Sequence, residues 1–263
     1  MNSTFSPAHK RYLHSLKSSK RLIITMRIMI ALIFVISWEL LTHFEIIDAF
    51  IFSSPSGIVK CFMELASDGT IFRHIGITVG ETIVCFVIVI GLGLIIAMLL
   101  WRFNTLFKIS EPYLVLLNSL PKSALAPLLI VWLGNNIKTI IVAAVSVAVF
   151  GAILSIYTAF METEPEKIKL MYTLKSTKSQ TLFKLVIPQS MPSIINTMKV
   201  NLGLSLVGVI IGEFLAAKKG LGYMIIYATQ TFKMDWVILA IVILCLLSIG
   251  LYQLINIIKG AIK

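Results

Sequence analysis

The sequence predicts an all-α membrane protein of about six transmembrane helices, and three observations carry that expectation. Of its 263 residues, 58% are hydrophobic and only 13% charged, against roughly 45–50% and 25% in soluble domains. The apolar residues gather in runs of about 20, the length that crosses hydrocarbon as a helix and twice that of a barrel strand. The basic residues concentrate in alternate connections between those runs, the pattern that orients a multi-pass chain. A net charge of +11 would by itself invite a nucleic-acid reading. Lys and Arg are, however, scattered in short segments without a basic stripe or interleaved aromatics, so no nucleic-acid partner is expected and the lipid bilayer is.

Residues 1–21 form a basic tail with Lys10, Arg11, Lys17, Lys20 and Arg21. Residues 22–41 read as the first transmembrane helix; the run exceeds a signal-peptide core and no A-x-A-like cleavage site follows, so it is expected to be retained. Residues 42–76 are expected as an extracytoplasmic loop. Within it, a Pro55-Ser56 turn precedes a short amphipathic helix at 58–66, with Ile58, Phe62, Leu65 and Ala66 laid on the membrane surface.

Residues 77–263 form the core, with spans expected at 77–101, 113–133, 137–160, 193–217 and 236–258. Pro121 and Pro127 interrupt the second of these core spans, the third of the chain, and predict either a kinked or a broken helix. Broken helices at membrane depth occur only against protein or a water-filled cavity. Lys122 and Ser123, between the prolines, are therefore candidate pathway residues, since a lysine at a helix centre costs about 2.5–3.5 kcal/mol on insertion scales. A later helix entry would instead leave Lys122 at the interface. Glu213 is a third pathway candidate, although Glu81 and Glu213 both lie near expected span ends, where solvation at the interface would account for them. Gly76-x-x-x-Gly80 and Gly208-x-x-x-Gly212 permit close helix approach, within one chain or between two. Cys61, Cys85 and Cys245 have no C-x-x-C spacing, and the last two sit in apolar runs as small hydrophobes. Gly220-Leu-Gly222 follows no strand and reads as a turn.

Lys and Arg in the tail, at 102 and 108, at 167–184 and at 259 and 263 outnumber those in the alternate connections. That bias places both termini and the connection 161–189 in the cytoplasm. This connection is polar yet helical in pattern. Thr163 to Glu166 has the S/T-x-x-E form of a capping box with Pro165 near the helix start, and Ile168, Leu170, Met171, Tyr172 and Leu174 follow as apolar positions. Thr177 to Gln180 forms a second box, opening a helix with Leu182, Phe183, Leu185 and Val186 that is expected to end before Pro188. The product is a helix-turn-helix outside the membrane whose apolar faces must cover either this chain's own helix ends or a cytoplasmic partner.

Here the residues resemble a known family. Permeases of binding-protein-dependent ABC importers carry E-A-A-x3-G-x9-I-x-L-P in this cytoplasmic loop. Leu185, Val186, Ile187 and Pro188 match its end conservatively, which puts its Gly position at Lys175 and its Glu position at Lys169; both are replaced. Residues 120–134 (LPKSALAPLLIVWLG) and 212–223 (GEFLAAKKGLGY) are similar to segments of the nitrate, sulfonate and taurine branch.

The resemblance implies the type I importer permease fold and a transport subunit without catalytic activity, in the inner membrane of a bacterium. A coupling loop of Thr163, Ile168, Met171, Tyr172, Leu174, Lys175, Ser176, Leu185, Ile187 and Pro188 would dock on a separate ABC ATPase subunit. ATP would be used by that partner and not bound by this chain, which lacks G-x-x-x-x-G-K-[ST]. An extracytoplasmic substrate-binding protein and a second permease copy would complete the machine, and the cargo would be a small nutrient such as a sulfonate, nitrate, taurine or a vitamin precursor. An ion-coupled secondary transporter is the rival reading; it would show internal repeats and intramembrane acids. An intramembrane enzyme is disfavoured, because His9, His14, His43 and His74 all fall outside the expected spans and no H-E-x-x-H or G-x-S-G occurs.

Overall fold

A computed structural model describes residues 7–261, with the side chains of 7–21, 123, 126 and 258–261 outside the description. The orienting lysines and arginines of the tail, together with Lys259 and Lys263, thus lie outside the described side chains. Every described element is helical, and the chain forms two compact units, one up to Met63 and one from Glu64.

In the first unit, α1 (Pro7–His43) is one unbroken helix of 37 residues, so helical backbone begins well before the expected boundary at residue 21. Its portion Leu22–His43 is long and apolar enough to cross a membrane, and none of its apolar window is buried within the protein. Helix α2 (Ala49–Phe52) is capped by Asp48, whose carboxylate accepts from Phe50 N at 2.8 Å. In α3 (Pro55–Ser67) the first turn is held by Glu39 of α1, which accepts from Ser56 N at 3.0 Å and Ser56 Oγ at 2.7 Å. A carboxylate there satisfies N–H groups that the helix leaves unpaired. The buried stripe of α3 runs through Cys61 and Leu65, while Phe62, expected on that stripe, is 39% exposed.

In the second unit, Asp68 accepts from Thr70 N at 2.8 Å, and the bonds from Thr70 hold its carboxyl below the usual carboxylate value. Helix α4 (Thr70–Arg102) begins there, earlier than expected, and takes in His74. It is followed by α5 (Asn104–Ser119), α6 (Lys122–Leu133) and α7 (Ile137–Met161). Next come α8 (Pro165–Thr173), α9 (Lys178–Thr181), α10 (Ile187–Ala216), α11 (Leu221–Gln230) and α12 (Met234–Ala261). The core lies where α4, α7 and α10 pack together, with Cys85, Val89 and Ala97 meeting Ala144, Ala148, Ala152, Ile156 and Phe160 and, from α10, Ile194 and Val209.

The small residues on α7 let α10 come unusually close. A Cβ at Gly208 would lie 2.8 Å from Ala144 Cα, and one at Gly212 would lie 2.9 Å from Ile140 Cα. This glycine pair therefore packs within the chain. A Cβ at Gly76 or Gly80 would meet nothing within 4 Å.

Five described helices are long and apolar enough to span: Leu22–His43, Thr70–Arg102, Ile137–Met161, Lys178–Ala216 and Met234–Ile257. The expected span at 113–133 is broken into α5 and α6 at Leu120 and Pro121. A second departure lies at Pro188, which does not end a helix. Residues 182–186 form one π-helical turn, in which Ile187 N donates to Leu182 O, and the rod continues from Lys178 to Ala216. Proline removes one i to i−4 bond and crowds a carbonyl one turn back; widening the preceding turn accommodates both effects without breaking the helix.

Candidate functional site

The loop 161–189 is built around a turn that local bonds define almost completely. Helix α8 starts with Glu164 as its N-cap, not Thr163, and the expected capping box does not form. Thr163 is instead buried, and its hydroxyl has no hydrogen-bond partner. The neighbouring Lys167–Glu164 pair, 2.8 Å apart with both side chains about half exposed, is of the kind that contributes under about 1 kcal/mol.

At the other end of α8, Lys175 N donates to Tyr172 O at 2.9 Å and Ser176 N to Met171 O at 3.1 Å. This pair of bonds is the Schellman termination, and its penultimate residue takes a left-handed conformation that favours glycine. That residue is Lys175, at φ +57°. The glycine position of the family pattern thus has a backbone reason, and this chain fills it with a side chain. Ser176 Oγ adds a bond to Met171 O at 2.6 Å and lies 3.0 Å from Thr181 Oγ1. The second capping box does form: Gln180 N donates to Thr177 Oγ1 at 3.2 Å, and Thr177 N donates to Gln180 Oε1 at 2.9 Å.

From this frame, Leu182 and Val186 point into the core cluster. Among the expected coupling residues, Thr163 is buried; Ile168, Met171, Ser176, Leu185 and Ile187 are half-buried; Tyr172, Leu174, Lys175 and Pro188 are exposed. The outward apolar groups are Leu170, Tyr172, Leu174 and Phe183, the first and third at 60% and 70% exposure. Leu170 lies on α8 and Leu174 is its C-cap residue.

A second candidate region follows the α5–α6 break. In a continuous helix the carbonyl of Asn118 would accept from Lys122 N; the break frees it, and Lys122 Nζ donates to it instead. The side chain of Ser123 lies outside the described residues. An apolar groove of about 720 Å³ runs along α5 between Glu111 and Leu120, with Ser119 as its hydroxyl and Glu111 as its carboxylate. The sequence reading overlooked Glu111, four residues and eight residues ahead of Val115 and Ser119 on one helix face, although an acid among apolar neighbours is a recognisable signal.

Glu213 is not solvated at an interface. It is fully buried, and Glu81 is 7% exposed. Thr78 Oγ1 donates to Glu213 Oε1 at 2.7 Å, and Gly222 N donates to Oε2 at 2.5 Å. Leu221 N donates to Thr78 Oγ1 at 2.8 Å, and Gly220 N to His74 Nδ1 at 2.9 Å. Gly220 caps α11 at φ +114° with no side chain to do so. The carboxylate of α10 therefore acts as a tertiary cap for α11, in the place where helix N–H groups and dipole favour an anion. Gly220 and Gly222 are the consequence, because a Cβ on either would collide with the Glu213 side chain. This cluster sits where α4 and α7 begin and α10 ends, at the end of the bundle opposite the 161–189 loop.

A family model, the binding-protein-dependent transport system inner membrane component, matches residues 89–262. The formylaminopyrimidine transport permease protein ThiX of Halalkalibacterium halodurans is 28% identical over 83% of this chain and 86% of its own length. The putative aliphatic sulfonates transport permease protein SsuC of Bacillus subtilis is 26% identical over 78% of this chain and 75% of its own. The taurine transport system permease protein TauC of Escherichia coli is 20% identical over 80% and 78%. In structure, a chain of the inward-facing MetNI methionine ABC transporter superposes with a TM-score of 0.67 at 17% identity, covering 75% of this chain and 98% of that one. That likeness shows the expected type I permease fold, and nothing in these relatives or structures favours the ion-coupled alternative. Matched by the family model over well more than half its length, the chain belongs to the binding-protein-dependent transport system inner membrane components, as a non-catalytic permease subunit of an ABC importer.

Proposed function

We propose that the loop 161–189 faces the cytoplasm and docks on a separate ABC ATPase, so that ATP hydrolysis in that partner drives movement of the α7 and α10 ends to which the loop is tied. The observation that carries this reading is the Schellman-closed turn presenting Leu170, Tyr172, Leu174 and Phe183 outward. Apolar groups held rigidly on a polar loop mark a protein interface, and a membrane surface would be met by a longer, basic amphipathic helix. Both termini would then be cytoplasmic, with the Glu213 cluster at the outer end, where a substrate-binding protein delivers cargo. A second copy of the chain completes the pathway, with α5, Lys122 and Ser123 on its wall. The cargo is a small polar nutrient of the class for which the relatives are named: a sulfonate, taurine or formylaminopyrimidine.

Single cysteines at Ser176 and Ser179, in a chain otherwise free of cysteine, test the docking. Co-expressed with its ATPase, each variant should give a crosslinked permease–ATPase band. Labelling of either cysteine by a membrane-impermeant reagent added outside intact cells would refute the orientation.

A further inference from the structure

The Glu213 nest contains more acid than it needs. Glu213 has a donor on each oxygen and caps α11. Glu81, one turn along α4 from Thr78, has its carboxyl within hydrogen-bonding reach of Glu213, yet its Oε2 is buried with no partner. Carboxyls this close hold a proton between them, which Glu81 donates to Glu213, and its second oxygen is left buried without a donor, an unfavourable arrangement. Glu81 also lines a cavity of about 350 Å³ with Asn135, Asn136, Ala217, Lys218 and Lys219. The Asn136 side chain is already committed, accepting from Lys138 N at 2.8 Å and donating to Leu133 O at 2.6 Å. Lys218 and Lys219 are exposed and make no hydrogen bond or ion pair among the described residues. They lie on the short non-helical link between the end of α10 and the start of α11.

We propose that Glu81 is the buried half of an ion pair that Lys218 or Lys219 completes in a second state of the transporter, latching α4 to the α10–α11 link and filling the cavity between them. A lysine brings three donors on a flexible four-carbon stem, which suits a partner that enters and leaves. The α10–α11 link is held at Ala217, whose N–H donates to Glu213 O at 3.3 Å, and again from Gly220 onward by His74 and the Glu213 cap, so Lys218 and Lys219 between them can move without disturbing α11. Lys138 also lies near Glu81, along the groove between α4 and α7, but its backbone is fixed in the capped first turn of α7. It is the control for a merely general need for positive charge.

The test rests on the importer reading for its uptake readout and for its nucleotide conditions. Glu81→Gln keeps a hydrogen-bond donor of the same shape beside Glu213 and removes the charge that Glu81 takes on when it pairs with a lysine. In the full transporter reconstituted with its ATPase and binding protein, E81Q should lower uptake about tenfold with complex assembly unchanged. The double variant K218Q/K219Q should do the same, and the triple variant should be no worse than either, as coupled residues require. K138Q should leave uptake unchanged. Separately, cysteine pairs at 81 and 218 or 81 and 219, with Cys61, Cys85 and Cys245 replaced, should form a disulfide in membranes in one nucleotide condition and not in another. That readout needs no transport, and because nucleotide acts only through the partner ATPase, the Ser176→Cys crosslink to that ATPase, scored in the same membranes, distinguishes a failed latch from a failed importer reading. Wild-type uptake by E81Q, additive effects of E81Q and K218Q/K219Q, coupling to K138Q, or the same disulfide yield in every nucleotide condition would each overturn the latch.

Discussion

At Lys175 the backbone adopts φ +57° to close α8, and an L side chain in that region costs about 1–2 kcal/mol. Lys175→Gly should therefore raise the thermal stability of the detergent-solubilised complex by about 0.5–1 kcal/mol, after the extra flexibility of glycine in the unfolded chain is subtracted. Transport-coupled ATPase activity should be preserved; a large fall would mean that the ammonium or its stem touches the ATPase. This residue was legible from sequence, because its signals are local: two capping-box patterns bracket it, of which the second forms, and the family spacing lands on it. Glu213 was not. Its partners Gly222 and Thr78 lie 9 and 135 residues away, and an acid near the end of an apolar run is indistinguishable, without them, from one that water solvates. Thr163 failed for the opposite reason: its local pattern was right, but burial of its side chain shifted the cap to Glu164.

At the scale of elements, prolines mark where the local reading succeeded and where it stopped. Pro121 lies at a true break because it follows Leu120 in an extended conformation, at ψ 140°, and the freed Asn118 carbonyl is met by Lys122. Pro188 carries the same sequence signal, yet the π-turn before it lets the rod run on for 39 residues from Lys178. No periodicity rule distinguishes the two cases; what differs is whether the core holds the flanking residues, as it holds Leu182 and Val186. The Lys122 bond yields a prediction at this scale. Lys122→Met leaves the Asn118 carbonyl unmatched, a loss of about 1–3 kcal/mol where water does not replace the donor. Uptake should fall about fivefold or more while membrane insertion and ATPase assembly stay normal, measured in vesicles with matched permease content. Unchanged uptake kinetics would place this ammonium at a solvated interface and remove it from the pathway.

For the whole molecule, the decisive constraint is what may face hydrocarbon. Helices α4, α7 and α10 are each long enough to cross, and most of the residues they expose are apolar. Helix α6 has 12 residues, about 18 Å at 1.5 Å per residue, and cannot cross a hydrocarbon core of about 30 Å. Its ends are irregular backbone, Leu120–Pro121 on one side and Gly134–Asn136 on the other, which lipid does not tolerate at membrane depth. Yet Val131 and Trp132 are 82% and 72% exposed in the single chain. A face of that kind needs protein or water against it, and side chains this apolar exclude water. The second copy proposed above would serve every protomer alike by placing its corresponding region here about a two-fold axis. Val131→Cys and Trp132→Cys, each placed in a chain lacking Cys61, Cys85 and Cys245, should therefore give a permease-to-permease disulfide on mild oxidation in membranes. Cysteines at Ile83 or Val87 on α4, exposed but on a helix long enough to face lipid, should give little. Monomeric migration of both α6 variants, with the α4 positions linking instead, would move the subunit interface to α4 and leave α6 to be covered by another partner.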